Sequence, residues 1–90
     1  MISMWEEIGY IMASKYRTIV IEKLSNKNYM PSTLAKETNI QLSHISRALK
    51  ELTEKNLTKC LNEKAKKGKI YTLTEFGKKI SNIIEKEIQT

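Results

Sequence analysis

Ninety residues carry a formal net charge of +6, with 16 lysines and arginines against 10 acidic residues. A chain of this length makes one domain with a modest core, so burial against a partner would add to its stability. The basic balance favours nucleic acid over acidic substrates, and it also suits an anionic membrane surface.

No apolar run exceeds four residues, and the amino terminus MISMWEEIGY lacks both a basic start and an apolar h-region. Neither a membrane-spanning helix nor a signal peptide is expected, so the expected location is cytoplasmic. The single cysteine, Cys60, cannot close an internal disulfide, which fits a reducing compartment. There is no Asp and only one His, and Gly9, Gly68 and Gly77 are too far apart to form a phosphate loop. His44 and Cys60 have no third group to orient a base beside a nucleophile. The chain is therefore not expected to be an enzyme, and no metal site or cofactor is expected.

Taken in chain order, Met4, Trp5, Ile8, Ile11 and Met12 recur at helical spacing and predict an amphipathic helix over residues 1–12. Ile19, Val20, Ile21 and Leu24 supply a second helix that packs beneath the next two. Pro31 suits a first helical position, with Ser32 and Thr33 as candidate caps or hydrogen-bond donors, and this third helix is expected to run to Thr38. Leu34 and the small Ala35 face inward and permit a steep, close crossing by the next helix.

Asn39 breaks the pattern, and a fourth helix is predicted from about Leu42, with Ser43 as an alternative N-cap. Ile45, Ala48, Leu49 and Leu52 form its single buried stripe, and Ser43, Arg47, Lys50 and Glu54 point away from it. Gln41, Ser43, His44, Ser46, Arg47 and Lys50 crowd the amino end of this helix without a carboxylate among them, while Glu51 and Glu54 come only in later turns. Such side chains donate to phosphates and base edges, so residues 30–55 read as a helix pair that fits a groove of double-stranded DNA. A solvated helix that happens to be polar is the plainer alternative.

Asn56 can take the left-handed conformation that ends a helix. Leu57 to Asn62 then reads as a strand, NEKAKKG as a turn, and Lys69 to Leu73 as the returning strand. Residues 57–73 hold five lysines against one glutamate, four of the six net charges. Lys64, Lys66, Lys67 and Lys69 around Gly68 suit a finger laid along a phosphate backbone, although a lysine-rich loop also serves plain hydration. Cys60, on the first strand, is either a small packed hydrophobe or, with its thiol activated by Lys59, a redox sensor.

Thr74 is the expected cap of a last helix, residues 74–90, striped by Phe76, Ile80, Ile83, Ile84 and Ile88. This stripe and that of Met4, Trp5, Ile8 and Ile11 offer more apolar surface than a small motif covers. The two terminal helices are therefore expected to close a homodimer; the alternative is a last helix folded back on its own subunit. No repeat, low-complexity segment or interdomain linker occurs.

With these elements in place the chain resembles the winged-helix transcriptional regulators of prokaryotes, in particular small archaeal members of the ArsR and MarR superfamily. The resemblance rests on ASKYRTIVIEKL at 13–24, STLAKETNIQLSHISRALKELTEKNL at 32–57 and YTLTEFGKKI at 71–80. It implies a mainly α fold with a small β-hairpin: a three-helix core and a two-stranded wing, DNA binding through the second helix of the motif, and a homodimer. The family commonly has Gly where Asn56 stands, and the cysteine pair of its metal-sensing members is absent from the recognition region. Two other functions fit the same elements: a winged helix that docks on proteins of the transcription machinery, and a sequence-neutral chromatin or RNA binder. The sequence names no effector.

Overall fold

The computed structural model describes the backbone of residues 4–88 and the side chains of residues 4–86. In chain order it contains α1 (Met4–Met12), α2 (Lys15–Asn26), α3 (Pro31–Thr38), α4 (Leu42–Glu54), β1 (Thr58–Cys60), β2 (Tyr71–Leu73) and α5 (Glu75–Ile88).

The helix boundaries follow from local chemistry. Ser14 ends the run from α1 and starts α2, its Oγ accepting from the Arg17 N–H at 3.3 Å. The cap of α3 is Met30, whose carbonyl accepts from Leu34 N, with Pro31 at the first helical position. Ser32 and Thr33 therefore lie inside the helix and do not cap it. Asn39 (φ 59°) and Asn56 (φ 61°) are both left-handed, and each ends a helix as an asparagine can where most side chains are strained. Likewise Gln41, not Ser43, precedes the first turn of α4, and its carbonyl accepts from His44 N and Ile45 N.

α2 is the central element, with α1, α4, α5 and β2 all packed on it, and α3 crosses α4. Val20, Ile21 and Leu24 meet Leu34, the Ile45–Ala48–Leu49–Leu52 stripe of α4, and Leu57 and Leu73 from the base of the hairpin. Each fully buried leucine or isoleucine here contributes about 2–5 kcal/mol against truncation to Ala.

The hairpin is antiparallel, with Thr58 opposite Leu73, Lys59 opposite Thr72 and Cys60 opposite Tyr71. On the other edge of β2, Tyr29 and Tyr71 exchange both backbone hydrogen bonds, at 3.1 and 2.8 Å, so the segment before α3 adds a one-residue third strand. The regular strands are shorter than the sequence suggests because a side chain takes over from the ladder. Asn62 Oδ1 accepts from Ile70 N at 2.7 Å, and its Nδ2 donates to the Gly68 carbonyl at 3.1 Å. Gly68 itself sits at φ +68°.

At the root of the wing, the Thr74 hydroxyl donates to the Asn56 carbonyl at 2.7 Å and accepts from Gly77 N at 2.9 Å. A side-chain carbon at Gly77 would collide with the Leu57 carbonyl oxygen, so glycine is required for α5 to leave at this angle.

The terminal helices differ from expectation in one respect. Ile8, Ile11, Ile80 and Ile84, expected at a subunit seam, are spent in the chain's own core, where α1 and α5 pack on α2 and on each other. Phe76 and Ile83 pack half-buried against the same cluster. What α1 leaves uncovered is Met4, Met12 and Trp5, the last 67% exposed. The side chain of Ile88 lies outside the described residues.

Candidate nucleic-acid interface

The buried stripe of α4 decides what its other face presents. With Ile45, Ala48, Leu49 and Leu52 turned into the core, the exposed side chains are Gln41, Leu42, Ser43, Ser46, Arg47 and Lys50, followed in the last turn by Thr53 and Glu54. Neither Arg47 nor Lys50 enters an ion pair among the described residues. The nearest downstream carboxylate, Glu51, is neutralised from behind: Arg17 Nη1 donates to its Oε1 at 3.0 Å. Arg17 also donates from Nε to the Tyr10 carbonyl at 2.7 Å and lies 3.9 Å over the Tyr10 ring, binding α1, α2 and α4 at one point. The face that begins at Gln41 thus keeps an uncompensated positive charge along its first two and a half turns.

His44, grouped by the sequence with the DNA-facing side chains, is less open than its neighbours Ser43 and Ser46. It is half-buried, and its ring stacks on Tyr16 of α2 with centroids 4.5 Å apart and planes 11° from parallel. On α3, Ser32 is exposed and Thr33 half-buried near the helix amino end. The wing adds Lys64, Lys66, Lys67 and Lys69, all exposed and all outside any ion pair among the described residues. Cys60 is half-buried at the wing's base, its thiol donating to Asn62 Oδ1 at 3.5 Å.

The orientation of α3 is held from below. Tyr29 Oη donates to Glu37 Oε1 at 2.9 Å, and Lys23 Nζ reaches the same oxygen at 3.4 Å. The Tyr29 hydrogen bond, aided by Lys23, holds the Glu37 carboxyl below its ordinary range against the opposing effect of burial. The same bond, with desolvation, pushes the Tyr29 phenol upward. Burial and the nearby Cys60 raise the Tyr71 phenol.

Sequence reasoning did not single out Tyr16, Arg17 or Tyr29. Tyr16 and Arg17 meet partners far along the chain, 34 residues away for Arg17 and Glu51, and even the eight residues from Tyr29 to Glu37 cross from one element to the next, so no local pattern marks such pairs.

This arrangement of helices and hairpin recurs in solved structures. ZitR of Lactococcus lactis superposes with a TM-score of 0.75 at 18% identity over 84% of this chain and 53% of its own. The chain has the winged-helix fold. The adhesin competence repressor AdcR of Streptococcus pyogenes gives 0.74 at 19% identity, over 84% of this chain and 57% of its own. Quinone-bound YodB of B. subtilis gives 0.76 at 17% identity, over 94% and 91%. The winged-helix chain described here thus spans about half the length of the matched ZitR and AdcR chains. No family model and no curated protein matches the sequence. Among the described residues, no helix is long and apolar enough to cross a membrane.

Proposed function

We propose that this winged-helix chain is a sequence-specific double-stranded DNA-binding transcriptional regulator of the cytoplasm, and not an enzyme. α4 enters the major groove, and the basic wing lies on the backbone or in the minor groove. The observation that carries this reading is the face from Gln41 to Lys50. It holds no carboxylate of its own, the nearest downstream one, Glu51, is paired with Arg17, the exposed Glu54 lies a turn beyond Lys50, and the face stands on the same molecule as four wing lysines in no ion pair among the described residues. Its amides, hydroxyls and guanidinium suit base edges, whereas the wing lysines suit phosphates. AdcR, a fold neighbour, is by its name a repressor, which agrees with a role in transcription.

The working unit in this proposal is a homodimer of ArsR/MarR-like type that shields Met4, Trp5 and Met12 of α1 and presents two α4 helices to successive major grooves. Half-sites are then spaced by about 10–10.5 base pairs or a multiple.

Selection of bound sequences from a random duplex pool tests the function directly. The expected result is an enriched two-fold motif bound about 10³-fold or more tighter than random duplex. Equal affinity for all duplexes would instead assign the chain to sequence-neutral binders, and no binding at all would favour the protein-docking alternative.

A further inference from the structure

α2 begins beside the amino-terminal half of α4, where a cleft lined by Ser14, Tyr16, Arg17, His44, Arg47 and Glu51 opens between the two helices. The groups facing His44 there are the Tyr16 ring, the Arg17–Glu51 pair and Arg47, and Lys15 Nζ lies 5.3 Å from the Tyr16 centroid. His44 is the third residue of α4 and stands one helical turn before Arg47. On a surface helix an imidazole samples several rotamers, and each turns its two nitrogens in a different direction. The near-parallel stack on Tyr16, at 4.5 Å and 11°, fixes the plane in which those nitrogens lie. A base-edge hydrogen bond depends on that plane, because a donor in a pre-set orientation loses less entropy on binding.

We infer that Tyr16 is a specificity-determining positioning residue of the DNA interface: its ring holds His44 in the one orientation that reads a base edge next to the one read by Arg47. The inference rests on the DNA-binding function proposed above and adds α2 to the elements that set sequence preference. Tyr16 itself need not touch DNA.

A double-mutant cycle on the selected duplex and its single-base-pair variants tests the inference, using His44→Ala, Tyr16→Leu and both together, with Tyr16→Phe as the conservative variant and Tyr16→Met as a second ring-less replacement. The expected result is that His44→Ala and Tyr16→Leu each flatten discrimination about tenfold at the same base pair, and that the double variant loses no more than either single one. Tyr16→Phe, which keeps the stacking ring, retains wild-type discrimination. Affinity for random duplex stays at the wild-type level throughout.

Additive losses, flattening at different base pairs, or an equal fall on selected and random DNA would overturn the positioning role. Should Tyr16→Leu fail to fold, Tyr16→Met carries the same comparison. A wild-type chain that selects no sequence refutes the DNA reading itself. One that selects a motif unaffected by His44→Ala refutes only this inference.

Discussion

The wing makes the most quantitative demand. Lys64, Lys66, Lys67 and Lys69 are exposed and held in no ion pair among the described residues, so no carboxylate there competes with phosphate for them. If each neutralises one phosphate, replacing all four by Gln removes four contacts per protomer, and at about 0.9 per contact the salt slope becomes shallower by about 3.6 per protomer. Between 50 and 200 mM salt, about 0.6 logarithmic units, the wild-type wing therefore accounts for about two decades of salt-induced affinity loss per protomer. Fluorescence anisotropy on a random and a selected duplex across that salt series measures both slopes, and the loss is expected to be equal on the two duplexes.

Asn62→Ala separates charge from geometry. It deletes the side-chain bonds to Ile70 N and the Gly68 carbonyl while leaving every lysine in place. Affinity is expected to fall about 3- to 30-fold, the cost of ordering a loosened loop on binding, with at most a small change in slope. A quadruple variant with wild-type slope would refute the role of the wing, and an Asn62→Ala variant with wild-type affinity would show that the loop needs no staple.

Gly77→Ala is expected to lower stability by about 1–3 kcal/mol because its Cβ meets the Leu57 carbonyl oxygen. Gly9→Ala, which meets nothing within 4 Å on α1, is expected to raise it by about 0.5–1 kcal/mol; thermal unfolding compares the two. Tyr29→Phe removes the bond that depresses the Glu37 carboxyl, so in an NMR titration that carboxyl is expected to move back toward its ordinary value of 4.5. The sign follows from linkage. The lowered Glu37 contributes stability that is present above its unfolded value and lost as pH falls through the lower folded one, and the raised Tyr29 contributes stability that is lost as pH rises through its elevated value. Both pH dependences are expected to weaken in Tyr29→Phe. Trp5→Glu charges the most exposed large apolar side chain of α1 without entering the core, and it is expected to halve the sedimenting mass and weaken DNA binding. A wild-type mass near 10.4 kDa would refute the dimer.

The helix-turn-helix was legible because its boundaries are local. Pro31 opens α3, Asn39 and Asn56 close helices through left-handed backbone, and the stripe from Ile45 to Leu52 has a period that only a helix satisfies. The exposed polar face of α4 was legible for the same reason, since fixing the buried side fixes the other. The terminal stripes were only half legible. A hydrophobic period states that Ile8, Ile11, Ile80 and Ile84 are covered, but it does not state by what, and α2 of the same chain, with the two terminal helices themselves, covers them. The strand ends were missed because a side chain, Asn62, satisfies backbone groups that an alternating pattern assigns to a longer ladder. His44 shows the same limit at the candidate site: composition makes it a donor near a groove, but only the approach of Tyr16 from 28 residues upstream decides how its ring is held.

The knot at Thr74 has a mechanical consequence. One hydroxyl bonds the carbonyl of the residue that ends α4 and also caps the first turn of α5, and Gly77 seats that turn directly on the chain as it enters β1. The exit of α4, the root of the wing and the start of α5 are therefore tied together at Thr74 and Gly77. Moving the first turn of α5 relative to α4 would therefore break the Thr74 bond to the Asn56 carbonyl or the cap on Gly77 N.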